Sequence, residues 1–208
     1  PQVGGAGATV GQTGLPFRID HDERFNQTSH LQYQIPGRHM PWYSMNWRFD
    51  SGEVAGAVPC YNPLSNDPNS ACGGTSILLN GQPAVDLSGL DADEQFEAGL
   101  ECNGQKATPT QALPAACLAS EFTSSLVHIP APGTGDNDRN PPRIQPRSLF
   151  DMSLGEDNLF HGDRYKWGAQ ITAINATNNY ALYNFLSTFS GTHYVTPRAL
   201  TGKITLSF

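Results

Sequence analysis

Residues 200–208 alternate apolar and polar without a break and finish on an aromatic ring. Side chains of a strand flip face at every step, so Leu200, Gly202, Ile204, Leu206 and Phe208 share one side. Thr201, Lys203, Thr205 and Ser207 take the other. A helix would scatter both sets around its circumference. The segment is therefore a two-faced strand, and whatever the chain folds into must give its apolar face somewhere to go.

The same period-two pattern recurs. Tyr43, Met45, Trp47 and Phe49 alternate with Ser44, Asn46 and Arg48. Upstream, residues 17–35 carry Phe17, Ile19, Phe25, Leu31, Tyr33 and Ile35 at odd positions and only polar residues at even ones. That pattern fits one long strand or two short ones, closed by the turn at Pro36 and Gly37. Further on, Phe150, Met152 and Leu154 share a face, as do Tyr165, Trp167, Ala169, Ile171 and Ala173. These segments predict five strands.

Between residues 51 and 146 the alternation is lost. A structureless loop of that length is unusual in a compact domain unless it carries substructure of its own. Residues 91–98 read as a short helix, because Asp91, Asp93 and Glu94 sit where the helix dipole favours acids and Gly99 can end it. All four cysteines, Cys60, Cys72, Cys102 and Cys117, fall in this stretch. None forms a Cys-x-x-Cys pair, so two disulfides in an oxidising compartment fit better than zinc, and three pairings are open. Local pairing, Cys60 with Cys72 and Cys102 with Cys117, is the expectation. The 16 prolines and 21 glycines predict many turns and few long helices. A net charge of −7 argues against a nucleic-acid partner.

If residue 208 lies at the periplasmic rim, antiparallel neighbours alternate in direction. Connections 36–41 and 155–163 become periplasmic turns, both short. Connections 51–146 and 175–198 become extracellular loops, both long. Outer-membrane barrels show that asymmetry, and their strands carry aromatic girdles at both interfaces. Tyr33, Tyr43, Tyr165, Trp167 and Phe208 fall at the short-turn ends on the apolar faces. Arg48, Lys166 and Lys203 point the other way, which spares about 2–4 kcal/mol for each cation kept from mid-depth lipid.

The expected fold is all-β: an antiparallel meander of about five strands from the carboxyl-terminal end of a transmembrane β-barrel, with one long disulfide-containing extracellular loop bearing a short helix. Expected boundaries are 1–14 for a flexible end, 15–50 for two strands, 51–146 for the long loop and 147–208 for the last three strands. The lipid-facing and girdle set is Tyr33, Tyr43, Met45, Trp47, Phe49, Phe150, Met152, Tyr165, Trp167, Ile171, Ile204, Leu206 and Phe208. The alternative is a secreted, soluble β-rich binding or adhesion module stapled by two disulfides, its apolar faces packed on one another. The absence of an initiating Met and of a signal sequence predicts a processed chain or a fragment.

Residues 158–167 (NLFHGDRYKW), 174–178 (INATN), 182–193 (LYNFLSTFSGTH) and 196–198 (TPR) resemble the carboxyl-terminal end of TonB-dependent outer-membrane receptors, most closely the Oar-like, acidobacterial kind. The resemblance extends less specifically to residues 17–56. It implies a barrel of about 22 strands filled by a plug domain. It also implies energy supplied through TonB, insertion by the barrel-assembly machinery into outer-membrane lipid, and uptake of a scarce large solute. The plug, the TonB-contacting segment and the remaining strands lie outside this sequence. One departure stands out: the family's assembly signal places Gly sixth from the end, whereas Gly202 is seventh.

No catalytic, cofactor or metal constellation is expected. His21, His30 and His39 are nine apart, about 30 Å per step on a strand, and cannot share an ion without a chain reversal. Asp136 and Asp138, or Asp91 with Asp93 and Glu94, lack a calcium-loop framework. No Gly-x-Ser-x-Gly elbow, phosphate loop or His-Glu-x-x-His occurs. In the aromatic tract 180–194, Tyr183, Phe185, Phe189 and Tyr194 are candidates for contact with a ligand. The competing reading is that these rings pack within the loops.

Overall fold

The computed structural model describes residues 22–37, 39–56, 78–87, 89–129, 140–187 and 190–208. The chain is mostly β, built from antiparallel sheets, and divides into two compact units.

One unit comprises residues 25–51, 146–180 and 195–208. It is a five-stranded sheet. Strands β1 (Asn26–Gln34) and β2 (Trp42–Asp50) form a hairpin, and β2 pairs with β11 (Arg147–Glu156) across the long excursion. Strand β11 then pairs with β12 (Lys166–Ile174), and β12 with β15 (Ala199–Ser207). Every pairing is antiparallel and joins strands in sequence order, so the sheet is the expected meander. The first strand is shorter than the 17–35 span read from the sequence. Its described part runs from Asn26, and Phe17 and Ile19 lie outside the described residues. The five strands are 9, 9, 10, 9 and 9 residues long. Strands of globular proteins average about 5–6 residues, so these are long.

The other unit draws its described residues from 22–24, 52–145 and 181–194. Where the sequence predicts mainly loop, the described residues form short strands around a core. They are β3 (Leu78–Leu79), β4 (Gln82–Asp86), β5 (Leu100–Cys102), β6 (Gln105–Lys106), β7 (Ala116–Leu118), β8 (Phe122–Ser124), β9 (Val127–His128) and β10 (Arg143–Ile144). They pair as β3-β4-β7, β6-β5-β8 and β9-β10. A hairpin, β13 (Leu182–Ser187) and β14 (Gly191–Tyr194), completes the unit. Val85, Leu87, Leu100, Val127, Ile144, Leu182 and Phe185 form the driest part of the core.

The helix α1 (Ala92–Glu97) forms where expected. Asp91 accepts from the Glu94 backbone N–H, and the Glu94 carboxylate accepts from Asp91, a reciprocal box that closes two otherwise orphaned donors. Gly99 follows at φ 64°, a left-handed conformation that glycine adopts without penalty. Gln95, buried at the centre, donates to the carbonyls of Leu87 and Leu90 and accepts from the Leu113 N–H. One side-chain amide thus satisfies three backbone groups that water cannot reach. The disulfide Cys102–Cys117 joins β5 to β7, as local pairing predicts. Cys60, Cys72 and residues 1–14 lie outside the described residues.

Candidate functional site

The five-stranded sheet has two chemically distinct faces, and the pairing register decides that. One row across it reads Leu31, Met45, Met152, Ala173, Leu200; the adjacent row reads Tyr33, Tyr43, Leu154, Ile171, Gly202. A one-residue slip at any of the four pairings would send part of this set to the opposite side. No slip occurs. Tyr33, Tyr43, Met45, Trp47, Phe49, Phe150, Met152, Trp167, Ile171, Ile204 and Leu206 therefore share a single face. Tyr165 and Phe208 flank it at the ends of β12 and β15.

Aromatics gather at both ends of this face, with aliphatic residues between. Tyr33, Tyr43, Tyr165, Trp167 and Phe208 lie toward the short turns. At the other end Trp47 stacks on Phe150 at 6.2 Å, and Phe49 lies 6.4 Å from Trp47 and 6.0 Å from Phe25. The Trp47 indole N–H donates to Ser148 Oγ at 2.7 Å, so the ring is fixed by its polar tip. Between the bands the face is bare. Leu31, Leu154, Ile171, Leu200, Ile204 and Leu206 are 47–76% exposed. Their uncovered parts equal three to four whole aliphatic side chains, and removing that much from water is worth about 5–11 kcal/mol. A domain's entire net stability is of that order.

The opposite face is polar and hydrogen-bonded within itself. Its central row reads Gln32, Ser44, Ser153, Thr172, Thr201. The Ser153 and Thr172 hydroxyls meet at 2.9 Å, Gln170 donates to Thr172, and His30 Nδ1 lies 2.6 Å from Asn46 Oδ1. At its far end buried Arg147 donates to Asp50 at 2.6 Å.

In the aromatic tract two of the four candidate rings pack inward, as the competing reading expects. Phe185 is wholly buried in the core of the second unit beside Leu182 and Leu186, so it cannot meet a ligand. Tyr194 packs against the same core, and its hydroxyl donates to the Glu97 carbonyl at 3.4 Å. Tyr183 is half-buried, and Phe189 lies outside the described residues. The hairpin adds Leu182, Phe185 and Leu186 to the apolar side chains that the short strands contribute, so these residues turn inward to a shared core. Thr192 also reaches helix α1: burial raises the Glu97 pKa above the usual carboxylate range, opposed by the Thr192 hydrogen bond, with Asp93, Glu94 and Asp91 adding to the rise.

The register also assembles a cluster that sequence reasoning missed. Pairing Tyr43 with Leu154 and Trp42 with Gly155 sets the β1–β2 turn beside the β11–β12 turn. His39 then stands against Glu156 and His161, with one donor atom from each within 4.8 Å of the others. His39 thus meets residues more than a hundred positions away rather than His30. The available signal was that His39 and His161 both lie in short turns that a meander brings to one end.

No family model, curated protein or solved structure matches the chain. Among the described residues no helix is long and apolar enough to cross a membrane, which leaves a strand-built span untouched.

Proposed function

We propose that the five-stranded sheet is part of the wall of a bacterial outer-membrane β-barrel, from the carboxyl-terminal end of a TonB-dependent receptor that takes up a scarce large solute. The observation that carries this reading is the single bare apolar face, in register over all five strands, backed by a polar, internally hydrogen-bonded one. In a barrel the first face meets hydrocarbon and the second lines a wet lumen. Strands of 9–10 residues match the about 9–11 residues a tilted strand needs to cross. Aromatics at both ends of the face match the two girdles.

The sheet edges support the same reading. Strands β1 and β15 each pair on one side only. Both are nine residues long and open to solvent along nearly their whole length. Long bare edges invite pairing with other strands. Here the partners are the remaining strands of the barrel, which also enclose the plug through which TonB acts. Both short connections leave one end of the sheet, taken as periplasmic, and both long ones leave the other, taken as extracellular. The disulfide-stapled unit is then the outer-surface part of the receptor, and catalysis forms no part of its role.

Fractionation of cells making the protein tests this directly. The reading expects it in the outer-membrane fraction, resistant to carbonate and released only by detergent. A monodisperse, water-soluble monomer would overturn it in favour of the secreted adhesion module.

A further inference from the structure

We propose that His39, Glu156 and His161 form a binding site for a divalent first-row transition metal of the zinc class, joining the two short turns of the sheet. This inference stands on local geometry and is independent of the membrane reading. Glu156 ends β11 on the apolar face, in register with Ala169 and Ile204, where a carboxylate has no apolar reason to be. It is nevertheless mostly covered, its side chain 13% exposed. Its Oε1 is buried and accepts no hydrogen bond among the described residues. A shielded anionic oxygen is costly unless a cation faces it, and the group within ion-pair range here is the His39 imidazole.

The surrounding groups are of the right kind. His39 Nδ1 lies 3.4 Å from Glu156 Oε1, and the His39 and His161 rings sit edge to face with centroids 4.6 Å apart. Two donors bound at about 2.0–2.1 Å to a tetrahedral ion are separated by about 3.3 Å. The His39–Glu156 spacing is thus close to one edge of such a tetrahedron. Both rings are exposed, and one donor atom from each of the three residues lies within 4.8 Å of the others. Two imidazoles and a carboxylate are the donor set of open three-ligand zinc sites, which leave the fourth position to water. The nitrogen content disfavours calcium and magnesium, which take oxygen.

The turn that presents His161 is built for the purpose. Asn158 accepts from the Gly162 N–H and donates to the Gly162 carbonyl, and the His161 N–H donates to the Asn158 carbonyl. His161 sits at φ 53°, and a Cβ at Gly162 would run into the Tyr165 carbonyl, so this turn requires glycine there. Trp42, whose indole donates to Asp157 at 3.1 Å, ties this turn to β2.

The test is titration of the purified full chain with Zn²⁺ alone, and with Co²⁺ as a spectroscopic probe. The expected result is one ion per chain and a Co²⁺ spectrum of four-coordinate nitrogen and oxygen ligation. Affinity should fall at least about tenfold in each of His39→Ala, Glu156→Gln and His161→Asn. Asn tolerates the left-handed backbone at position 161, so that variant removes the imidazole without breaking the turn. His30→Ala, on the polar face, should bind as the parent does, and circular dichroism should show all variants folded. Absence of saturable binding, or binding unchanged in the folded His39→Ala and His161→Asn variants, would overturn the site and leave an imidazole–carboxylate ion pair.

Discussion

Replacing Ile171 by Arg puts the two-faced sheet at risk in a way that can be calculated. Ile171 lies near the middle of β12, between Leu154 and Gly202, and is 64% exposed. The proposed barrel wall would place this exposed side chain in lipid. In hydrocarbon, a cation at mid-depth costs about 2–4 kcal/mol. Folding into lipid should therefore weaken by about 30- to 700-fold, at 1.4 kcal/mol per factor of ten. Thr201→Arg supplies the control. Thr201 pairs with Thr172 on the opposite face and is exposed, and a cation there should change stability by less than about 0.5 kcal/mol. Urea titration of the protein refolded into phospholipid vesicles, followed by tryptophan fluorescence, reads both. Equal costs for the two variants, or a harmless Ile171→Arg, would refute the assignment of faces.

Two further outcomes concern the disulfide-stapled unit. Replacing Cys102 and Cys117 together by Ser opens a bridge with sequence separation 15, so the unit should lose about 3 kcal/mol. Thermal melting of the isolated unit's signal, compared with and without reductant, checks it; an unchanged midpoint would count against the bridge as a stabilising link. Glu97 has a raised pKa, so its folded state holds the proton more tightly than the unfolded chain does. Stability from that preference is complete below the unfolded carboxyl value and lost as pH rises through the folded one. Glu97→Gln should therefore raise the melting temperature at pH 7 and leave it nearly unchanged at pH 4. The reverse ordering would show that burial is not the dominant influence on this carboxyl.

The sheet was legible because its signal is local. Tyr43, Met45, Trp47 and Phe49 announce a strand within seven residues, and Asp91 with Glu94 announces a helix start within four. The inner structure of residues 51–146 was not, because its strands run from two to five residues and show no period. The hairpin at 182–194 escaped for a related reason. Its register shifts twice, and Leu186 takes φ 48°, so Leu182, Phe185 and Leu186 reach the core without regular alternation. Phe185 consequently read as a loop aromatic. The His39, Glu156 and His161 cluster depends on which strands neighbour each other, and a turn histidine carries no mark of that in its surroundings.

The central claim is that one side of the sheet faces lipid and the other water. Nitroxide labels placed one at a time along β15, Ala199–Ser207, in phospholipid vesicles measure this through relaxation by oxygen and by a water-soluble nickel chelate. The account predicts a two-residue period, with oxygen dominant at 200, 202, 204 and 206 and nickel dominant at 201, 203, 205 and 207. Loss of the period, or four even positions shielded from both relaxants, would contradict it.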